Sequence, residues 1–184
     1  MQKGTGFYHP RQQPIVIHLE NAAINVLTDF KFVPPEKITA DMFAHDALNE
    51  MNLTKVHSLL VTDGKDEIIG LIISKDIQGA QLTKIANASK IKITEVTVAM
   101  LMKPCDKILT IDLKNLSNAR VGHIVKIMHD HSLSYLLVKE SVDDSGEEIV
   151  RGIFSARQIS KQLGFNISGD LSASTVADIN KRVG

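Results

Sequence analysis

Tryptophan is absent from this chain, tyrosine occurs twice, and aromatic residues together make up 4%. A core drawn from these 184 residues must therefore be built from Ile, Leu, Val and Met. The single cysteine, Cys105, excludes an internal disulfide and a cysteine-rich metal site. It also suits a reducing compartment. Neither sign of charge is in excess: 21 basic and 21 acidic side chains give a formal net charge of zero. That balance speaks against a nucleic-acid partner held on a broad basic face. A small anionic ligand needs only a local cluster of donors and stays open. No apolar run is long enough to span a bilayer, and the polar opening MQKGTGFYHPRQQP lacks the apolar core of a signal peptide. The expectation is a soluble, cytoplasmic protein with no membrane partner.

Catalytic and metal signatures are also missing. There is no Gly-rich phosphate loop, metal-protease pair or nucleophile elbow. His129 and His131 lie at i and i+2, which do not share a helix face. His45, His57 and His123 are isolated, and Cys105 has no His-Asp set to activate it. Lys90, Lys92, Lys103 and Lys107 form a mild basic zone that reads as a solvated face. No catalytic residue and no metal ligand are assigned, and the chain reads as a non-enzyme.

The informative stretch is Val56 to Ile77, VHSLLVTDGKDEIIGLIISKDI. Leu59–Val61 is a short buried strand, and Asp63-Gly64 is a favoured hairpin pair. Ile68–Ile73 is a nearly all-apolar second strand, as expected where both faces are covered. Upstream, Ala44, Ala47, Leu48 and Met51 share one helical face, with Thr39 and Asp41 as candidate caps. Downstream, a helical pattern from Ile77 to Ser89 is interrupted by Gly79. Asn21–Thr28 suits a short helix, and Ile15–Ile17 suits an edge strand. Ile108–Ile111 reads as a strand, and Val176, Ile179 and Val183 suggest a tail helix capped by Ser174.

The set then returns. Ala44, Met51 and Val61 reappear as Val121, Met128 and Val138, each 77 positions on. Gly70 reappears as Gly152 at 82, so the second hairpin is longer by 5 residues, within Ser141–Glu147. Turns absorb insertions at least cost. The domain reading is an N-terminal arm (1–19), a first repeat (20–92), a second repeat (93–165) and a tail (166–184).

The first copy, Ala47-xxx-Met51, Leu59-Leu60-Val61-x-Asp63 and Ile69-Gly70-Leu71-Ile72-Ile73-Ser74-x-Asp76-Ile77, resembles a cystathionine-β-synthase-like (CBS) domain. Ile124-xxx-Met128, Tyr135–Val138 and Gly152–Ser155 resemble it in the second copy. Thr97–Pro104 and Val26–Phe30 resemble the short lead-in that precedes such domains. The likeness is to a stand-alone, bacterial-type CBS-pair protein with little chain left for an attached enzyme or channel. It implies an α+β fold of tandem β-α-β-β-α CBS repeats related by a pseudo-two-fold axis, with two three-stranded sheets face to face. It also implies a disc-like homodimer. No cofactor is required, but an adenine nucleotide (AMP, ADP, ATP or S-adenosylmethionine) is the implied regulatory ligand of the cleft between repeats. The implied output is a conformational change read by an effector protein.

Site residues follow from the same likeness. Members carry Gly-apolar-apolar-Ser/Thr-x-x-Asp, in which the carboxylate accepts from both ribose hydroxyls and the hydroxyl and helix N-terminus meet phosphate. In the first copy Asp76 and Lys75 match, but Ile73 fills the hydroxyl slot and Ser74 comes one position later. In the second copy Ser155 and Arg157 match, but Gln158 replaces the Asp, and a neutral amide makes the weaker acceptor. Adenine is implied near Val56, Ser58 and Ile38, or near Leu133 and Tyr135. Ser74, Asp76 and Ser155 equally suit plain helix capping, and Lys75 and Arg157 suit solvated surface charge. Two rival readings remain: an interaction scaffold without a ligand, and an enzyme of unassigned class.

Overall fold

A computed structural model describes residues 17–142 and 147–167. The N-terminal stretch through residue 16, including most of the Ile15–Ile17 expectation, and the Asp170–Val183 tail helix lie outside the described residues. The strands are β1 (Thr28–Asp29), β2 (Lys37–Thr39), β3 (Ser58–Thr62), β4 (Ile68–Ile73), β5 (Lys103–Pro104), β6 (Thr110–Asp112), β7 (Tyr135–Val142) and β8 (Glu147–Ser155). The helices are α1 (Ala44–Thr54), α2 (Ser74–Gln78), α3 (Ala80–Ser89), α4 (Val98–Leu101), α5 (Val121–Asp130) and α6 (Ala156–Leu163). The fold is mixed α+β, with two sheets ordered β1-β8-β7-β6 and β2-β3-β4-β5.

Each sheet has four strands where three are expected, and the addition has one cause. The two-residue lead-in of each copy pairs with the last strand of the other copy. Thr28 and Asp29 face Ile153 and Gly152, while Lys103 and Pro104 face Leu71 and Gly70, all antiparallel. These registers are equivalent under the repeat, since Gly70 and Leu71 correspond to Gly152 and Ile153. The parallel pairs match too: Leu60 and Val61 lie opposite Lys37 and Ile38, and Leu137 and Val138 lie opposite Thr110 and Ile111. Proline at an edge costs no ladder bond there, which suits Pro104 on β5.

The chain divides into two compact units, and each takes segments from both sequence repeats. One comprises Thr28–Leu113 and Leu136–Ile153. Its core gathers Ala44, Ala47 and Met51 of α1 with Leu59, Val61, Ile72, Ile77, Ala86, Val98 and Leu101. Helix α1 begins at Ala44, later than the Thr39 or Asp41 caps would place it. Phe43 holds the cap position without a side-chain bond. The Ala44 N–H donates instead to the Val96 carbonyl at 2.8 Å, so a neighbouring backbone does the capping. The Asp63 carboxylate accepts from the Lys65 and Glu67 N–H groups, and Asp66, not Gly64, adopts the left-handed conformation (φ 64°). The expected two-residue Asp-Gly hairpin is thus a wider turn organised by an Asp side chain. The helical pattern after β4 does break at Gly79, where a Cβ would lie 2.7 Å from the Lys75 carbonyl oxygen.

The other unit contains the described parts of Met1–Leu27, Lys114–Tyr135 and Phe154–Gly184. In α5, Val121, Ile124, Val125 and Met128 are all buried, as their spacing requires. The expected Asn21–Thr28 helix is a single 3-10 turn, Ala23–Val26, lying against α5. The Val121 N–H donates to the Asn21 carbonyl, repeating the Ala44–Val96 arrangement of the other unit. His123 helps to start α5, since its Nδ1 accepts from the Arg120 N–H at 2.9 Å. Helix α6 ends at Gly164, whose φ of 78° favours glycine.

One charged cluster breaks the symmetry between the copies. Arg151 on β8 donates from Nε and Nη2 to the two Asp29 oxygens at 2.7 and 2.8 Å, and from Nη1 to Glu140 Oε2 at 2.7 Å. The clamp ties β1, β7 and β8 together. Its bidentate geometry holds the Asp29 carboxyl below the usual carboxylate range. At the corresponding first-copy positions stand Pro104, Asp63 and Ile69, which can form no such clamp.

The clamp and the β4–β5 pairing each make a prediction. Replacing Arg151 with Met leaves two carboxylates facing each other in a mostly buried place, with a loss of about 2–4 kcal/mol in denaturant unfolding. Because the Asp29 pKa is depressed, its contribution is complete above the ordinary Asp range and is lost as pH falls through the lowered value. Wild type should therefore lose more stability than Asp29→Asn over that acid window. Gly70→Val should separate β5 from β4 at a cost of about 1–3 kcal/mol. A Cβ at Gly70 would lie 2.8 Å from both the Lys103 carbonyl oxygen and the Met102 sulfur. Amide exchange at Lys103 measures the separation.

Candidate functional site

The first set of sequence-derived residues converges at the junction of β4 and α2. Ile73 ends β4 in an extended conformation (φ −123°, ψ 149°) and occupies the cap position of α2. An isoleucine offers no cap oxygen, so the helix starts without a side-chain cap. Ser74 lies inside the first turn, and its N–H donates to the His57 carbonyl at 3.0 Å. The capping role open to Ser74 in the sequence is therefore not taken. Ser58 faces Ile73 across the ladder, which brings the start of β3 to the same place. Val56 is half-buried against the core, its N–H bonded to the Met51 carbonyl. Ile38 stands apart: it pairs with Val61, three residues along β3 from Ser58, and its side chain belongs to the core.

Asp76 is the chemically distinctive member. Its carboxylate is half-buried and makes no hydrogen bond or ion pair among the described residues. Burial pushes its pKa up, and the charges of Lys75 and Lys103 act in the opposite direction. An ionised acceptor without a donor is an unfavourable thing to keep half out of water. Lys103 is the member that sequence reasoning missed. It stands 27 positions from Asp76, and only the β4–β5 pairing brings its charge to bear. Its membership of a loose basic zone was the one available signal.

The second set lies in the other unit. Ser155 caps α6, its Oγ accepting from the Gln158 N–H at 3.4 Å. The Ala156 N–H donates to the Ser134 carbonyl at 3.0 Å, the counterpart of the Ser74–His57 bond. Arg157 is exposed, Gln158 is exposed, and Tyr135 and Leu133 are half-buried. The Leu133 N–H bonds the Met128 carbonyl, just as Val56 bonds Met51. Here the hydroxyl is present and engaged in capping, and no carboxylate accompanies it.

A separate cavity of about 480 Å³ opens beside the β7–β8 hairpin, next to Phe30, Lys31 and the Arg151 clamp, and none of the residues above lines it. Among the described residues, no group of three or more His, Cys, Asp or Glu is placed to hold a metal ion. None of their helices is long and apolar enough to cross a membrane.

Comparison with known proteins fits this geometry. Residues 27–82 match the family model of the CBS domain. No curated protein sequence matches the chain. Among solved structures, a conserved CBS domain protein of unknown function from Thermoplasma acidophilum is 19% identical, with 85% of this chain and 76% of that chain covered and a TM-score of 0.51. The protein CBSX2, solved in complex with AMP, is 16% identical, covering 77% of this chain and 94% of its own, at a TM-score of 0.51. The CBS domain pair of protein MJ0100, solved with 5′-methylthioadenosine and S-adenosyl-L-methionine, is 22% identical, covering 78% and 96%, at a TM-score of 0.52. At such identities the likeness is one of fold. Joined to the family match over residues 27–82 and the register shared by both copies, it shows that the chain has the fold of a CBS-domain pair.

Proposed function

We propose that this protein is a non-catalytic regulatory module that binds an adenine nucleoside derivative at the β4–α2 junction. The observation that carries this reading is the half-buried carboxylate of Asp76, which has no hydrogen-bond or ion-pair partner among the described residues and feels the charges of Lys75 and Lys103. A ribose offers two adjacent hydroxyl donors, which suit the two oxygens of one carboxylate. The two lysines supply charge for a phosphate or carboxylate on the same ligand. Val56 and Ser58, at the start of β3, provide the apolar and backbone surface for a purine. Two proteins of the same fold, solved with AMP and with S-adenosyl-L-methionine, support this ligand class. In the second copy, Ser155 and Arg157 suit phosphate, but Gln158 is the weaker ribose acceptor. We therefore assign the primary site to Asp76.

The ligand's effect passes through a homodimer to an effector protein. Met42, Phe43 and Met100 are exposed on contiguous segments of one unit, joined by the Phe43–Thr97 bridge and the Val98–Met42 hydrogen bond. The His45 ring stacks on Phe43 with centroids 5.5 Å apart. Exposed apolar groups on adjoining helix starts are what a helical dimer face requires. A second reading, a scaffold that no longer binds nucleotide, draws on Ile73, which leaves α2 uncapped where the second copy has Ser155.

Calorimetric titration with AMP, ADP, ATP and S-adenosylmethionine separates these readings. Saturable heat is expected for at least one ligand, with affinity falling about tenfold or more in Asp76→Asn. The same substitution should leave the free protein equally or more stable, since it removes a desolvated charge. Affinity should weaken as pH falls through the raised Asp76 pKa, because the neutral acid no longer accepts from both hydroxyls. No heat at millimolar ligand would favour the scaffold. For the dimer, Phe43→Glu should shift light-scattering mass towards the monomer with the far-ultraviolet spectrum unchanged.

A further inference from the structure

The cavity beside the β7–β8 hairpin has a composition of its own. The Arg151–Glu140 ion pair joins β7 and β8 on one face, and alternation along the strands adds Val142 and Ile149 to it. Phe30, just after β1, closes one side. Arg151 is only 14% exposed, and its bonds to Asp29 and Glu140 fix it as part of the wall. Two charged groups keep unused hydrogen-bonding capacity among the described residues. The Lys31 ammonium is exposed and makes no direct ion pair among the described residues; its charge acts on Asp29 without contact, and its backbone N–H donates to Asp29 at 2.9 Å. Glu140 uses Oε2 on Arg151 and leaves Oε1 without a partner.

The geometry points to a second ligand site, for a free α-amino acid with an apolar side chain. The cluster of Asp29, Glu140, Arg151 and Lys31 is neutral overall, so it favours neither a simple anion nor a simple cation. A phosphate would meet two carboxylates, and an amine alone would meet Lys31 and Arg151. A zwitterion engages both remaining capacities at once, its carboxylate facing Lys31 and its ammonium facing Glu140 Oε1. Phe30, Val142 and Ile149 then cover the apolar side chain. A volume of about 480 Å³ holds such a ligand together with ordered water. This site shares no residue with the Asp76 junction and does not depend on nucleotide binding.

The test is a nuclear magnetic resonance titration of the full chain with L-leucine and L-phenylalanine up to about 10 mM. Saturable amide shifts at Phe30 and Ile149 are expected, and they persist in Asp76→Ala. Lys31→Met, which alters only an exposed side chain, and Glu140→Gln, which keeps an acceptor for Arg151, should each weaken binding about tenfold or more. N-acetyl-leucine amide, which has the side chain but neither charge, should not bind. Absence of saturable shifts, equal binding of the capped compound, or unchanged affinity in both variants would each overturn the proposal.

Discussion

Two short backbone exchanges govern the rest of this structure. Strand β1 precedes the first copy yet pairs with β8 of the second, and β5 precedes the second copy yet pairs with β4 of the first. Each exchange is only two residues long, so hydrogen bonding alone gives little stability. Its importance lies in what it positions. The β5 pairing requires glycine at Gly70, since a side chain there would meet the Lys103 carbonyl and the Met102 sulfur. It also sets Lys103 where its charge is felt by Asp76.

The candidate site is organised by a tension between burial and charge. Burial penalises an ionised Asp76, and the two nearby lysines offset only part of that penalty. Structural carboxylates generally resolve such a conflict with a hydrogen bond, as Asp29 does with Arg151 and Asp63 does with its own turn. Asp76 does neither. A group left in that condition is a candidate for function.

Duplication has preserved the backbone more faithfully than the side chains. Ladder registers, the bonds that start α1 and α5, and the bonds that start α2 and α6 recur position by position. The chemistry laid on them has diverged. One junction keeps a carboxylate without a cap, and the other keeps a cap without a carboxylate. One hairpin carries an Arg-centred clamp and a cavity, where the corresponding positions of the other are Ile69 and Pro104. Backbone geometry is constrained by every neighbour at once, whereas a single surface or cleft side chain can change with little effect on folding.

The α+β repeat architecture was implied by the likeness to CBS domains, while local periodicity already specifies the buried faces of α1 and α5, the span of β4 and the break at Gly79. These are legible because apolar spacing and backbone freedom are written residue by residue. The residues of the Asp76 junction were legible through their likeness to a known pattern, and Ser155 was legible as a cap. Whatever depends on distant segments meeting was settled only on folding. Tertiary contacts moved the start of α1 to Ala44 by supplying the Val96 carbonyl, turned the hairpin on Asp66 and added a fourth strand to each sheet. They also took Ile38 into the core, brought Lys103 to Asp76 and joined Asp29 to Arg151 across 122 positions. No local pattern encodes such meetings, because their stability comes from partners that the chain brings together only when it folds.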